Sequence, residues 1–148
     1  MTAGEVAVAA EAETPERSEP DTGPDQQALE GPFTTRQLLR IDEALRHADV
    51  STGLTFSVYV GELTEPFRAQ AEKLHAQLPD PAHGVLIAVA PNQRVLEIVT
   101  GPQARRRLPD RDCKLAALAM NRAFGGGDLA GGIVIGLAQL ADHGRLPG

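Results

Sequence analysis

Seven consecutive residues, Gly84-Val85-Leu86-Ile87-Ala88-Val89-Ala90, carry no polar side chain. A strand with one wet face alternates apolar with polar residues, so a run without alternation demands cover on both faces. In a small chain that cover comes from helices packed on either side of a sheet. The rest of the sequence must therefore supply them.

It does so in a readable order. Thr34 with Gln37 has the form of a capping box, and Phe33 and Leu38 stand where a hydrophobic staple places them. Leu38, Ile41, Leu45 and Ala48 then form one helical stripe, ended by Gly53. Leu54 to Val60 alternates as a strand with one core face. Thr64 to Leu78 reads as a second helix, with Phe67, Ala71, Leu74 and Leu78 on one side and Pro66 in the first turn. After Gly84–Ala90, the turn Pro91-Asn92-Gln93-Arg94 leads into a hairpin strand, Val95–Thr100. Asp110 is expected to cap a helix running to about Ala123, with Leu115, Leu118 and Arg122 on one line. Gly125-Gly126-Gly127 breaks it, and Asp128 caps a last helix carrying Ile133, Leu137 and Leu140 and ending near His143-Gly144. The order α-β-α-β-β-α-α predicts an α/β fold, a small mixed sheet sandwiched between helices with a right-handed crossover.

Charge divides the 148 residues unevenly. Residues 1–31 hold eight acids and one base, Arg17, a net of −7; the remaining 117 carry 12 acids and 13 bases. That first segment has three prolines and few large apolar residues, which predicts a disordered acidic tail, although a helix over Gly4–Glu13 is open to it. The domain is expected over residues 32–144, with a short flexible end at 145–148. A near-neutral domain with no Trp and one Tyr is not a nucleic-acid binder by composition. No apolar run approaches the roughly 20 residues that span a bilayer, and no leader opens the chain, so a cytoplasmic location is expected. The lone Cys113 excludes an internal disulfide.

Candidate sites have competing readings. Asp110, Asp112 and Asp128 are the best ligands for a hard cation, calcium or magnesium, two of them one residue apart in what reads as a loop. The same acids also suit two helix N-termini. Gly125-Gly126-Gly127-Asp128 is either an anion cradle or a tight helix-to-helix turn. Cys113, in a first helical turn, is either activated by the helix dipole or an inert thiol. His47, His75, His83 and His143 have no ligand-like spacing, and no G-x-S-x-G frames a nucleophilic serine. Arg105-Arg106-Arg107 is a solvated loop or the contact for an anionic partner or membrane surface. No catalytic residue and no organic cofactor site is assigned.

Thr52-Gly53 before Leu54–Val60, the strands Gly84–Ala90 and Arg94–Thr100 with Gly101, Leu108-Pro109-Asp110, and Phe124-Gly125-Gly126-Gly127-Asp128-Leu129-Ala130-Gly131-Gly132-Ile133 follow one another in a familiar order. Over roughly Phe33 to His143 the chain resembles the TPM domain of thylakoid-lumen and bacterial membrane-associated proteins. It is most similar to an actinobacterial domain of unknown function related to that group. The resemblance implies an α/β sandwich, divalent-ion binding, and a phosphatase activity described for some plant members, with Asp110 and Asp128 at matching positions. Typical members of that family carry a signal peptide and often a membrane anchor, and neither is expected from the residues read here. Three functions follow as expectations. The first is a non-catalytic binding or scaffold module for a protein partner, modulated by a divalent ion. The second is a metal-dependent phosphomonoester hydrolase, and the third a membrane-surface adaptor acting through Arg105–Arg107.

Overall fold

The computed structural model describes residues 32–147. Helix α1 (Thr35–Thr52) starts at the expected capping box: Thr34 Oγ1 accepts from the Gln37 amide at 3.1 Å, and Gln37 Oε1 accepts from the Thr34 amide at 2.9 Å. Phe33 and Leu38 both enter the core beside it, which fixes how the chain approaches the helix. α1 stops at Gly53, whose φ of 76° is easily reached only without a Cβ.

Strand β1 (Thr55–Val60) runs parallel to β2 (Gly84–Ala90), with Thr55 opposite Gly84 and Val60 opposite Val89. β3 (Val95–Thr100) returns antiparallel to β2, pairing Val85 with Thr100 and Ala90 with Val95. Every residue of the central strand β2 is buried, as its unbroken apolar run requires. Val85, Ile87 and Val89 face one layer with Phe56, Val58 and Ile98. Leu86, Ala88 and Ala90 face the other with Val99. Helix α2 (Phe67–Ala76), the crossover between β1 and β2, covers the second face with Phe67, Ala71 and Leu74. The first face is covered by α1, α4 (Asp110–Gly125) and α5 (Leu129–His143). A short helix, α3 (Ala104–Arg107), lies between β3 and α4. The expected sandwich is present, with one more helix than the sequence pattern indicates.

Four local expectations change. The second helix begins at Phe67 rather than Thr64, with Pro66 as its extended N-cap after a cis Glu65–Pro66 bond; a residue before proline is pushed out of the helical region, so Glu65 cannot continue a helix. Arg105–Arg107 form most of α3 and are not loop. Pro109, not Asp110, is the N-cap of α4, and Asp110 is its first helical residue. Finally, α4 turns Cys113, Ala116 and Met120 inward, leaving Leu115 40% and Leu118 60% exposed, so the predicted line of Leu115, Leu118 and Arg122 faces outward. The reason lies in α5. Gly132 and Gly136 let Phe124 and Met120 sit where a Cβ would fall, 2.5 Å from Phe124 Cε1 and 2.3 Å from Met120 Sδ. Two helices that approach this closely need small residues at the contact, and Ala116 meets that need where Leu would not. The acidic segment 1–31, the helix over Gly4–Glu13 and Gly148 lie outside the described residues.

Candidate functional site

A cleft of about 600 Å³ opens at the end of the sheet where β1 and β2 begin. Four separate stretches of chain build it. The end of α1 supplies Thr52 and Gly53, followed by Leu54. Thr52 is fully buried; its hydroxyl donates to the Ala48 carbonyl at 2.8 Å and accepts from the Leu54 amide at 3.0 Å, which locks the turn. The 3₁₀ turn Pro81–His83 supplies His83, whose Nδ1 lies 3.1 Å from Asp80 Oδ2. Gln103, Arg106 and Arg107 come from α3 and the residue before it. Leu146 closes the rim, its amide donating to the Ser51 carbonyl at 2.9 Å.

Gly101 makes this assembly sterically possible. A Cβ there would lie 1.8 Å from the Pro81 carbonyl oxygen, so only glycine lets the end of β3 press against the Pro81–His83 turn. The Gly101 amide then donates to Gly84 O at 3.0 Å, and the Gln103 amide to Ala82 O at 2.9 Å. α3 is anchored by Ala104 and Leu108, both fully buried. Arg105 is used structurally, its Nη2 donating to the Thr100 carbonyl at 2.8 Å. Arg106 and Arg107 are left for the cleft.

The lining holds two guanidinium groups, one imidazole, one carboxamide and no carboxylate. Among the described residues no acid pairs with Arg106 or Arg107. A second cleft, between α1 and α5, sets Arg40 beside Glu43 on its own wall. In the first, Asp80 answers His83 alone, and the two guanidinium groups have no carboxylate in the wall with them. Guanidinium presents a planar fork of N–H donors that matches a carboxylate or phosphate edge in two parallel bonds. Chemically, this cleft is suited to hold an anionic group.

The acids singled out from sequence are not brought together. α4 is 16 residues long, about 24 Å, with Asp110 at its start and Asp128 beyond its end. Asp110 and Asp112 lie in the first turn of that helix, and positions two apart on a helix do not face each other. The expectation that they reach one site rested on a loop, and the structure places both in a helical turn instead. Asp112 Oδ1 instead meets His143 Nδ1 at 3.1 Å, tying the start of α4 to the end of α5. Asp128 caps α5, its Oδ1 accepting from the Gly131 amide at 2.9 Å. Among the described residues no group of three His, Cys, Asp or Glu side chains gathers where a metal ion could be held. Gly125 is the last residue of α4 rather than its breaker, and Gly126 and Gly127 form the turn into α5, Gly127 at φ 89°. Cys113 is buried, and desolvation, reinforced by Asp110 and Asp112, pushes its thiol up to about 11; the activated-thiol reading fails because burial outweighs the helix end. His75 is buried with Nε2 3.0 Å from the Gly84 carbonyl, and His47 lies 3.3 Å from Ser51 Oγ, each locally bonded.

Of the cleft residues, His83 and the arginine run stand out in the sequence as candidates, Thr52-Gly53 enters only through the family resemblance, and Gln103 carries no local signal. Their convergence depends on the Gly101 contact, which a linear pattern does not display.

The fold recurs in solved proteins. BA42 from the psychrophilic bacterium Bizionia argentinensis superposes with a TM-score of 0.68 at 20% identity, over 76% of this chain and 81% of that one. The N-terminal domain of cg2496 from Corynebacterium glutamicum gives 0.60 at 20% identity, over 76% and 74%. At those identities the likeness concerns the fold alone. In sequence, the chain is 31% identical over 120 residues to Uncharacterized protein Rv2468c of Mycobacterium tuberculosis, covering 81% of this chain and 72% of that relative. The family described as Domain of unknown function (DUF5130) matches residues 14–141, and the chain belongs to it.

Proposed function

We propose that this chain is a TPM-like, non-catalytic binding module that engages a protein partner by taking an anionic group of that partner into the cleft of Arg106, Arg107, His83 and Gln103. The observation that carries the reading is the pair of guanidinium groups lining a cleft with no carboxylate in its wall. Arg106 is exposed and Arg107 half-buried, so both guanidinium forks are open to an anion from outside and no internal pair has to be broken to admit one. The one thiol is buried and held protonated, which supports binding over nucleophilic chemistry. A modulating calcium or magnesium ion would meet Asp128 apart from Asp110 and Asp112, because α4 lies between them.

The test is an amide-resolved NMR titration of the full chain with inorganic phosphate and with citrate. Saturable shifts at His83, Gln103, Arg106 and Arg107, lost in an Arg106→Gln/Arg107→Gln variant, are expected. Shifts scattered over the surface, or unchanged in the variant, refute the cleft. Calcium- or magnesium-dependent turnover of a phosphomonoester, abolished by Asp110→Ala and Asp128→Ala, would replace this reading with the hydrolase.

A further inference from the structure

The outward face of α4 is used neither by the core nor by the cleft. With Cys113, Ala116 and Met120 turned inward, the opposite side carries Arg111, Lys114, Leu115, Leu118 and Arg122. At 3.6 residues per turn these five fall within an arc of about 100°, along about 17 Å of helix. All five are exposed, Leu118 to 60%. No described acid pairs with any of the three cations. Asp110 and Asp112 fall to either side of the stripe, and Asp112 is engaged by His143.

A helix stripe made only of leucines and unpaired cations constrains what can cover it. A second copy of the chain meeting it through the same face would set cations against cations, which is unfavourable. An anionic lipid surface satisfies every residue at once: it is flat enough to meet the outside of a helix, apolar below and negatively charged at the level of the cations. We propose that the outward stripe of α4 docks on anionic lipid headgroups, with Leu115 and Leu118 reaching toward the acyl boundary and Arg111, Lys114 and Arg122 among the phosphates. The contact is peripheral, since no helix among the described residues is long and apolar enough to cross a membrane. The overall charge of −6 does not forbid it, because screening confines such attraction to about 8 Å at physiological salt. This surface is separate from the cleft and stands whether or not the cleft binds an anion.

The experiment is co-sedimentation of the full chain with vesicles of mixed phosphatidylglycerol and phosphatidylcholine, against phosphatidylcholine alone. Binding to the anionic vesicles only, reversed by salt, is expected. Each cation near such a surface contributes about fivefold in partitioning, so Arg111→Gln/Lys114→Gln/Arg122→Gln should weaken binding on the order of 100-fold. Leu115→Ser/Leu118→Ser should weaken it at least about tenfold, and both variants alter only exposed positions. Because the chain has no Trp, Leu118→Trp adds a reporter whose emission should shift to the blue on the anionic vesicles. The proposal is overturned if the full chain ignores anionic vesicles, if the leucine variant binds as well as the parent, or if Arg106→Gln/Arg107→Gln abolishes binding while the stripe variants do not.

Discussion

Replacing Gly101 by alanine should be the most damaging single-methyl change near the cleft. The added Cβ would sit 1.8 Å from Pro81 O and 2.6 Å from Ala82 O, both backbone atoms that no rotamer change can move. Real Cβ atoms essentially never come within 3.0 Å of such neighbours, so the end of β3 and the Pro81–His83 turn must part by more than an ångström. Parting them strains the bonds from Gly101 N to Gly84 O and from Gln103 N to Ala82 O. Overpacking of this kind costs about 1–3 kcal/mol, and each weakened backbone bond about 1 kcal/mol more. A total of about 3–5 kcal/mol, at a urea slope of about 1.5 kcal/mol per molar, lowers the unfolding midpoint by about 2–3 M. The control is Gly125→Ala, where nothing lies within 4 Å of the new Cβ and the helix gains up to about 1 kcal/mol. Urea unfolding of both variants by far-UV circular dichroism decides the matter. Equal midpoints for the two would refute the close approach, and with it the account of how α3 reaches the cleft.

Asp128→Ala should lower stability by about 1 kcal/mol, because the Gly131 amide loses its cap; an unchanged melting temperature would contradict the capping role. Leu118→Ser should leave stability within about 0.5 kcal/mol of the parent, while Met120→Ala should lose about 2–5 kcal/mol, and the reverse order would mean that the rotation of α4 is misread. The Cys113 thiol, pushed up to about 11, should react with a disulfide reagent at least about 100-fold faster in denaturant than in the folded chain at pH 8; comparable rates would show it exposed. Burial holds the Asp49 carboxyl above its ordinary value, opposed by the Phe56 amide that donates to its Oδ1 at 2.8 Å. A raised folded value means that the stability contribution of Asp49 is fully present below the ordinary carboxylate range and declines as pH rises through the folded value. Asp49→Asn, which keeps an acceptor for Phe56, should therefore gain on the parent between acid and neutral pH. Asp49→Ala should lose about 1–2 kcal/mol at either, and a parent-to-Asn difference that is flat with pH would refute the shift.

Where the fold was legible, the information was local. A capping box, a staple and an unbroken apolar run are each satisfied within a few residues, and the capping box, the Phe33–Leu38 pair and β2 stand where the sequence puts them. α4 shows where such reading stops. A line drawn through the bulky leucines runs along Leu115 and Leu118, although free cysteine is buried at least as often as leucine and Cys113 with Ala116 marks the face that turns inward. What reverses the order is the partner helix: the glycines of α5 set a spacing that admits Met120 only where glycine faces it and favours small residues elsewhere. Burial there is a property of the helix pair, and a single helix does not contain it.

Charge is a poor guide to the site for the same reason. Summed over residues 32–148, 12 acids nearly cancel 13 bases, and the domain reads as neutral. The fold then spends the acids unevenly. Asp42 pairs with Arg46, Glu72 and Glu97 with Arg68, and Asp142 with Arg145, while Asp112 meets His143 and Asp128 caps α5. Only Arg46, Arg68 and Arg145 are paired, so ten of the 13 bases have no described counter-charge; Arg106 and Arg107 at the cleft and Arg111, Lys114 and Arg122 on α4 are the ones that gather in one cleft or on one helix face. An unmatched cation on a folded surface is where an external anion gains most, because no internal pair has to be broken first. If a partner or surface recognises this chain through charge, it does so at the residues the fold leaves unpaired, and those are found only by taking the internal pairs away.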